Sequence, residues 1–530
     1  IPVPPAALET AAILAHGRMT LKANQDGNNN SYTGILNDAE SVAGSSGHVM
    51  IQANIIEIYD GGLIRSETIG SGNAGNITVS DASRLIIDGS HYPAIFTGIA
   101  ANTYNKSMGA GDAGMVTIHA DVLELRGGGE ISSGTFGKGN AGEVTVNARQ
   151  LTIDGPNSPS FAGIGSQANA GSTGGRAGAV TVTAGLLELR GGGTIATSTF
   201  GPGDAGEVTV DARQLIIDGD GSDFTTGITS DVGTSGGFIG TGDAGTVSVT
   251  AQDLMVRGEH GTIRSGAFGR GDAGRVMVTA GRIITVDGGK VETDSDTSGA
   301  AGNVDVHAPR VVVRDGGLIG SSGTGTGPAG DVQLTADILE VADASIRTVG
   351  ASSQGGAIAV SASELIELRD AEVTASGAVP ETGRSVITLR APLIAVNDSE
   401  VTALTGTGVP LTTSGLVELF GGTTVISSNS SVAASSGVTV TGLENEVGSQ
   451  LVVPQGVFLN ADNLLRASCA ARRTATASSF TAMGRGGLPS DPAGSVSGSY
   501  TDPDRAAATD QARPVLAASF GEGCKTDPDG

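Results

Sequence analysis

The chain has 530 residues, of which 85 are glycine, none is tryptophan and 16 % are charged. Its 55 acidic and 30 basic side chains leave a net charge of −25, which argues against nucleic acid as a partner, because phosphate binding needs Lys and Arg clusters. Glycine this abundant without a G-X-Y period signals disorder unless apolar residues are placed periodically, and here 38 % of residues are hydrophobic and recur in register.

The first residues, Ile1-Pro2-Val3-Pro4-Pro5, carry neither the basic nor the apolar region of a signal peptide, and the segment is read as part of something longer. No run of 18 apolar residues occurs, so no transmembrane helix is expected. From Gly17 onward a glycine anchor and a short strand repeat, most clearly as Gly-Asp-Ala-Gly-x-Val-Thr-Val. The anchors are Gly75, Gly114, Gly142, Gly178, Gly206, Gly245, Gly274, Gly302 and Gly330, with fainter copies at Gly17, Gly47, Gly356, Ser385 and Gly415. A fixed period of about 28 residues means one structural unit copied many times, a solenoid.

Each unit holds three brief β-branched or aliphatic runs with period-two alternation, punctuated by Gly, Asp and Asn. In one unit these are Val208–Val210, Leu215–Ile217 and Gly227–Ser230. Three short strands per turn suit a parallel β-helix, in which Val208, Val210, Leu215, Ile217 and Ile228 point inward and stack on their counterparts. A leucine-rich repeat needs a regular Asn or Cys frame, and a calcium-binding roll needs G-G-x-G-x-D every nine residues; neither is present. The fold expected is all-β: a right-handed parallel β-helix of about 15 rungs over residues 1–465, with little or no α-helix, followed by a disordered low-complexity tail over 466–530.

Rungs alternate between a long type with Leu-x-Ile-Asp-Gly and an insertion, and a short type with Leu-x-x-Arg-Gly. The insertions, which follow Asp88, Asp154 and Asp218, are expected on one side. The residue after each second run reads Asp88, Arg126, Asp154, Arg190, Asp218, Arg257, Asp287, Arg314, alternating in sign without a miss. Stacked about 4.8 Å apart, such residues form either an ion-pair ladder that keeps rungs in order or a zwitterionic stripe that binds a ligand. Two aromatic sets also recur every second rung: Phe136, Phe200 and Phe268 in short rungs, and Phe96, Phe161 and Phe224 ahead of the third run in long rungs. They either face a ligand such as a glycan or cap the core at a turn.

The six histidines show no i, i+4 pair and no common place in the repeat, and no nucleophile elbow or P-loop occurs, so neither a catalytic residue, a metal site nor a cofactor is expected. Acidic and basic residues follow the repeat rather than gathering in one cleft, which favours a structural over an enzymatic solenoid. The tail holds both cysteines, Cys469 and Cys524. A cysteine-free solenoid with two in its tail fits an exported protein with one terminal disulfide, or else two free thiols.

The tail also holds Cys469-Ala470-Ala471-Arg472-Arg473, Ser478-Ser479-Phe480-Thr481 and Gly484-Arg485-Gly486-Gly487-Leu488-Pro489. With the glycine-rich rungs upstream, this order resembles the C-terminal end of filamentous haemagglutinin-family exoproteins, the β-helical passengers of bacterial two-partner secretion. The family's Asn-Pro-Asn-Gly secretion signature is not in this chain. The resemblance implies export through an outer-membrane transporter partner, a secreted or cell-surface location, and adhesion to a host or environmental glycan or surface protein. A carbohydrate-active β-helix enzyme, polysaccharide lyase or hydrolase, and an inert surface spacer are the alternatives.

Overall fold

The computed structural model describes residues 10–23, 33–39, 44–93, 95–104, 111–155, 162–169, 174–235, 238–379, 385–406 and 415–446. All of them fall in the first of two compact units, Ile1–Leu451. Cys469, Cys524 and Phe161 lie outside the described residues.

The fold is an all-β parallel solenoid, and no α-helix occurs among the described residues. Long and short strands alternate along the chain and stack into two parallel sheets of fifteen and fourteen strands, slightly fewer complete turns than expected. Residues one rung apart stand opposite each other, as Val180 stands against Val208 and Leu187 against Leu215.

The three runs of each unit resolve into two strands, a correction to the three expected. Val208–Asp218 is one strand that contains the first two runs. Its alternation slips in the middle, where Arg213 and Gln214 both face solvent, so that Val208, Val210 and Ala212 on one side and Leu215 and Ile217 on the other all point inward. Asp211–Gln214 contains no Gly or Pro, and the chain bends there with its pairing continued on either side. The third run is a separate short strand, Thr226–Val232, whose Ile228, Ser230 and Val232 face the core. The core is one continuous column of buried aliphatic residues. No rung buries its apolar edge alone, so stability comes from stacking.

The anchor glycines stack on one another. A Cβ placed on Gly206 would lie 1.9 Å from the carbonyl oxygen of Gly178, and one on Gly178 would lie 2.2 Å from that of Gly142. Only glycine permits this approach, which accounts for the most regular feature of the repeat. A buried serine fastens several of the anchors to the short strand. Ser166 Oγ accepts from Gly178 N at 2.8 Å and donates to Gly142 O at 3.0 Å. Ser133, Ser265 and Ser321 bridge the same two kinds of group. One turn further out, Asx side chains take up backbone donors of the next rung: Asp243 Oδ1 accepts from Asp272 N at 2.9 Å, and Asp272 Oδ1 accepts from Ala300 N at 2.7 Å.

Long rungs carry their extra residues at two turns, not at one as expected. Eight residues, 89–96, join the strands Ile77–Asp88 and Thr97–Thr103, where a short rung uses two, 127–128. After the short strand a second surplus follows, and after Val232 it includes a small hairpin, Thr234–Ser235 with Phe238–Ile239. The two insertions therefore come before and after the short strand in the chain.

Candidate functional site

The eight alternating charges form a single column. Asp88 stands in register with Arg126, Arg126 with Asp154, Asp154 with Arg190, Arg190 with Asp218, Asp218 with Arg257, and Asp287 with Arg314. Contacts within it are paired rather than continuous. Arg190 reaches Asp154 at 3.0 Å, Arg257 reaches Asp218, and Arg314 reaches Asp287 at 2.6 Å. In each case the arginine bonds to the aspartate of the rung before it. Arg126 breaks the pattern by bonding to Glu124 on its own strand, while Arg84 takes the other Glu124 oxygen at 2.7 Å. The Arg257 hydrogen bond holds the Asp218 carboxyl below the usual carboxylate range. These side chains are substantially exposed, so each pair contributes about 0–1 kcal/mol.

Two histidines share a column, which corrects the expectation that none does. His119 and His307 occupy the same register position, linked through Asn147, Thr183, Asp211, Thr250 and Thr279. His119 Nε2 lies 3.2 Å from Asn147 Nδ2. Among the described residues no cluster of three or more His, Cys, Asp or Glu is placed to hold a metal ion.

The outer face of the short-strand sheet is the most distinctive surface. In the early rungs, where long and short types alternate, it is largely covered: Ala100, Ser132, Ala196, Thr229 and Thr262 are buried although they point away from the core. In later rungs, which lack insertions, Arg347, Glu372 and Glu400 on the same face are exposed. The early rungs thus form a groove floored by small residues.

Charged residues that do not follow the repeat collect on this groove, contrary to the reading of the charges as repeat-following throughout. Near its start Arg65 bonds to Asp38 and lies 3.2 Å from Glu67. Burial pushes Glu67 up to about 7, with Arg65 opposing it. Further along, Arg264 makes a two-pronged contact with Asp231, at 3.2 and 2.9 Å, and its guanidinium stands 4.7 Å from the Phe268 ring centre. Glu292 stands in register with Arg264, and Asp294 lies two residues on along the same face. Burial raises both carboxyls, and the Glu292 charge adds to the effect on Asp294.

Between these clusters lies a hollow of about 200 Å³ lined by aromatic and amide side chains with one carboxyl, Glu130. Tyr104 and Phe136 stack at 4.4 Å with 14° between their planes, and Phe96, from a long-rung insertion, stands among the lining residues. Burial pushes Glu130 up to about 7, against the hydrogen bond from Ser132, and pushes the Tyr104 hydroxyl up to about 12.

The aromatic sets therefore divide. Phe96 and Phe136 line the hollow. Phe200 lies so close to Gly233 that a Cβ there would meet its ring at 2.6 Å, Phe224 packs beside the turn at Gly192, and Phe268 sits under Arg264. Sequence reasoning missed Asp38, Arg65, Glu67, Tyr104, Glu130, Asp231, Arg264, Glu292 and Asp294. Aligning the outward positions of the third run would have found most of them: Arg65, Glu67, Glu130, Arg264, Glu292 and Asp294 stand where other rungs carry Gly, Ala, Ser or Thr.

No protein-family model, no curated protein and no solved structure matches this chain.

Proposed function

We propose that this protein is a non-catalytic binding shaft, exported and displayed at a bacterial surface, that takes up glycan chains along the groove of its short-strand sheet. The observation that carries the reading is the groove itself: small residues on its floor, and the Tyr104–Phe136 stack beside several side-chain amides. Aromatic rings offer apolar faces to sugar rings, and amides take their hydroxyls. The outer face of the short-strand sheet runs along the stacking axis across several rungs, which suits a polymer. Export by an outer-membrane partner, and kinship with filamentous haemagglutinin-type exoproteins, are supported by the tail motif and by a solenoid of compatible type.

A carbohydrate-active enzyme is the second reading, favoured by the Asp231–Arg264–Glu292–Asp294 cluster, which departs from the repeat within one groove. Binding without turnover remains the better account, because Arg264 and Asp231 occupy each other through two hydrogen bonds.

The test is affinity electrophoresis of the full chain through native gels cast with a panel of neutral, amino and acidic polysaccharides, with reducing ends measured after incubation. Retardation by at least one polysaccharide, abolished by Tyr104→Ala with Phe136→Ala and unaccompanied by new reducing ends, is expected. Migration unchanged across the panel would sink the glycan reading, and new reducing ends lost on Asp294→Asn would replace it with the enzymatic one.

A further inference from the structure

We infer that the hollow over Gly134 is a subsite for a single sugar residue bearing a free amine, with Glu130 as the counter-charge. The inference rests on the glycan-binding reading of the groove and names which sugar this part of it selects.

The hollow exists because glycine stands where its column carries larger residues. Gly134 is in register with Asn102 on one side and Gln167 on the other. A Cβ on Gly134 would lie 3.1 Å from Asn102 Oδ1 and 3.1 Å from Asn169 Nδ2. Two amides thus converge over a position that has no side chain, and any larger residue there would fill the space. At about 200 Å³ the hollow falls below the roughly 300–1,000 Å³ of pockets for drug-sized ligands, a volume suited to one ring.

Phe96, Tyr104 and Phe136 supply apolar walls, and the amides of Asn102, Gln167 and Asn169 supply donors and acceptors. That combination suits a sugar ring better than a bare ion. Glu130 decides which ring. It is the one carboxyl among the described lining residues, and none of those is Lys or Arg. The arginine near this part of the groove, Arg65, is engaged by Asp38 and Glu67. A half-buried carboxylate with no cation among the described residues around it is stabilised by an ammonium group brought in by a ligand, and an aromatic wall adds a cation–π contribution. A uronic acid would meet Glu130 and a chain of net charge −25 with like charge.

Calorimetric titration of the full chain at neutral pH tests this with three hexamers of one β-linked backbone: glucosamine, N-acetylglucosamine and glucose. The glucosamine hexamer is expected to bind about tenfold or more tighter than the other two, a difference of about 1.4 kcal/mol or more. Glu130→Gln is expected to bring that ratio to about 1, and Gly134→Val to weaken glucosamine hexamer binding about tenfold or more by filling the hollow. Equal binding of all three hexamers, or a preference that survives Glu130→Gln, overturns the subsite while leaving the groove reading intact. Binding of none of them removes both. Hexalysine binding as tightly as the glucosamine hexamer overturns the sugar assignment, since charge alone would then account for it.

Discussion

Asp218 stands in register between two arginines, Arg190 and Arg257, and it is Arg257, on the following strand, that bonds to it, while Arg190 reaches back to Asp154 at 3.0 Å. The same direction holds for Arg314 and Asp287. Asp154 with Arg190 and Asp218 with Arg257 thereby join a long rung to the short one after it, in step with the alternation of rung types in the sequence. The alternation also penalises misregistration, because a slip by one rung stacks like charges.

Truncating one member of the column is expected to cost little. Asp218→Ala should lower stability by about 0–1 kcal/mol in chemical denaturation, as for other exposed pairs. Asp218→Arg should cost more than Asp218→Ala, because it places three arginines in succession, and adding Arg257→Asp should recover part of the loss. Since the folded-state Asp218 carboxyl is held below its ordinary value, its contribution is present at neutral pH and is lost as pH falls through the carboxylate range. Equal stabilities for Asp218→Ala and Asp218→Arg would show that the column has no electrostatic role in register.

The glycine column should be far less tolerant. Gly206→Ala places a Cβ 1.9 Å from Gly178 O, so the backbone must move apart, and a loss of about 3 kcal/mol or more is expected. Gly174→Ala has open space around it and should change stability by less than about 0.5 kcal/mol. Thermal denaturation of the two variants decides this, and similar melting temperatures would contradict the stacking account.

Ser166→Ala is expected to cost about 1–3 kcal/mol, because the Gly178 N–H loses its acceptor in a part-buried place. Ser166→Thr keeps the hydroxyl and should recover most of the loss, as Thr197, Thr293 and Thr348 already donate to anchor carbonyls in other rungs. A loss for Ser166→Thr as large as for alanine would mean that packing, not the hydrogen bond, matters there.

The groove carboxyls should make the protein pay for neutrality. Burial raises Glu130 from 4.5 to about 7, so the folded state holds that proton more tightly than the unfolded chain does. This group favours folding below about 4.5, and its contribution is lost as pH rises to about 7. Glu130→Gln, which stays neutral, should therefore stabilise the protein relative to wild type at pH 8 by on the order of 1–3 kcal/mol, and by much less at pH 4.5. Denaturation midpoints at the two pH values provide the check, and a gain that does not depend on pH would rule out burial of charge as its cause.

The repeat period, the parallel stacking, the inward residues and the register of the charge column were all legible in the sequence, because each depends on local spacing that every rung repeats. Val208, Val210, Leu215, Ile217 and Ile228 face the core as their alternation implies. What only the tertiary structure decided arises where rungs differ. The bend at Arg213–Gln214, which merges two runs into one strand, depends on how the chain turns without Gly or Pro. The groove depends on Glu67, Glu130, Arg264 and Asp294, far apart in the chain, standing on the outer face of one sheet. Stacking turns residues that are rare in any single repeat into neighbours across rungs, and that proximity is a property of the assembled solenoid rather than of any one unit.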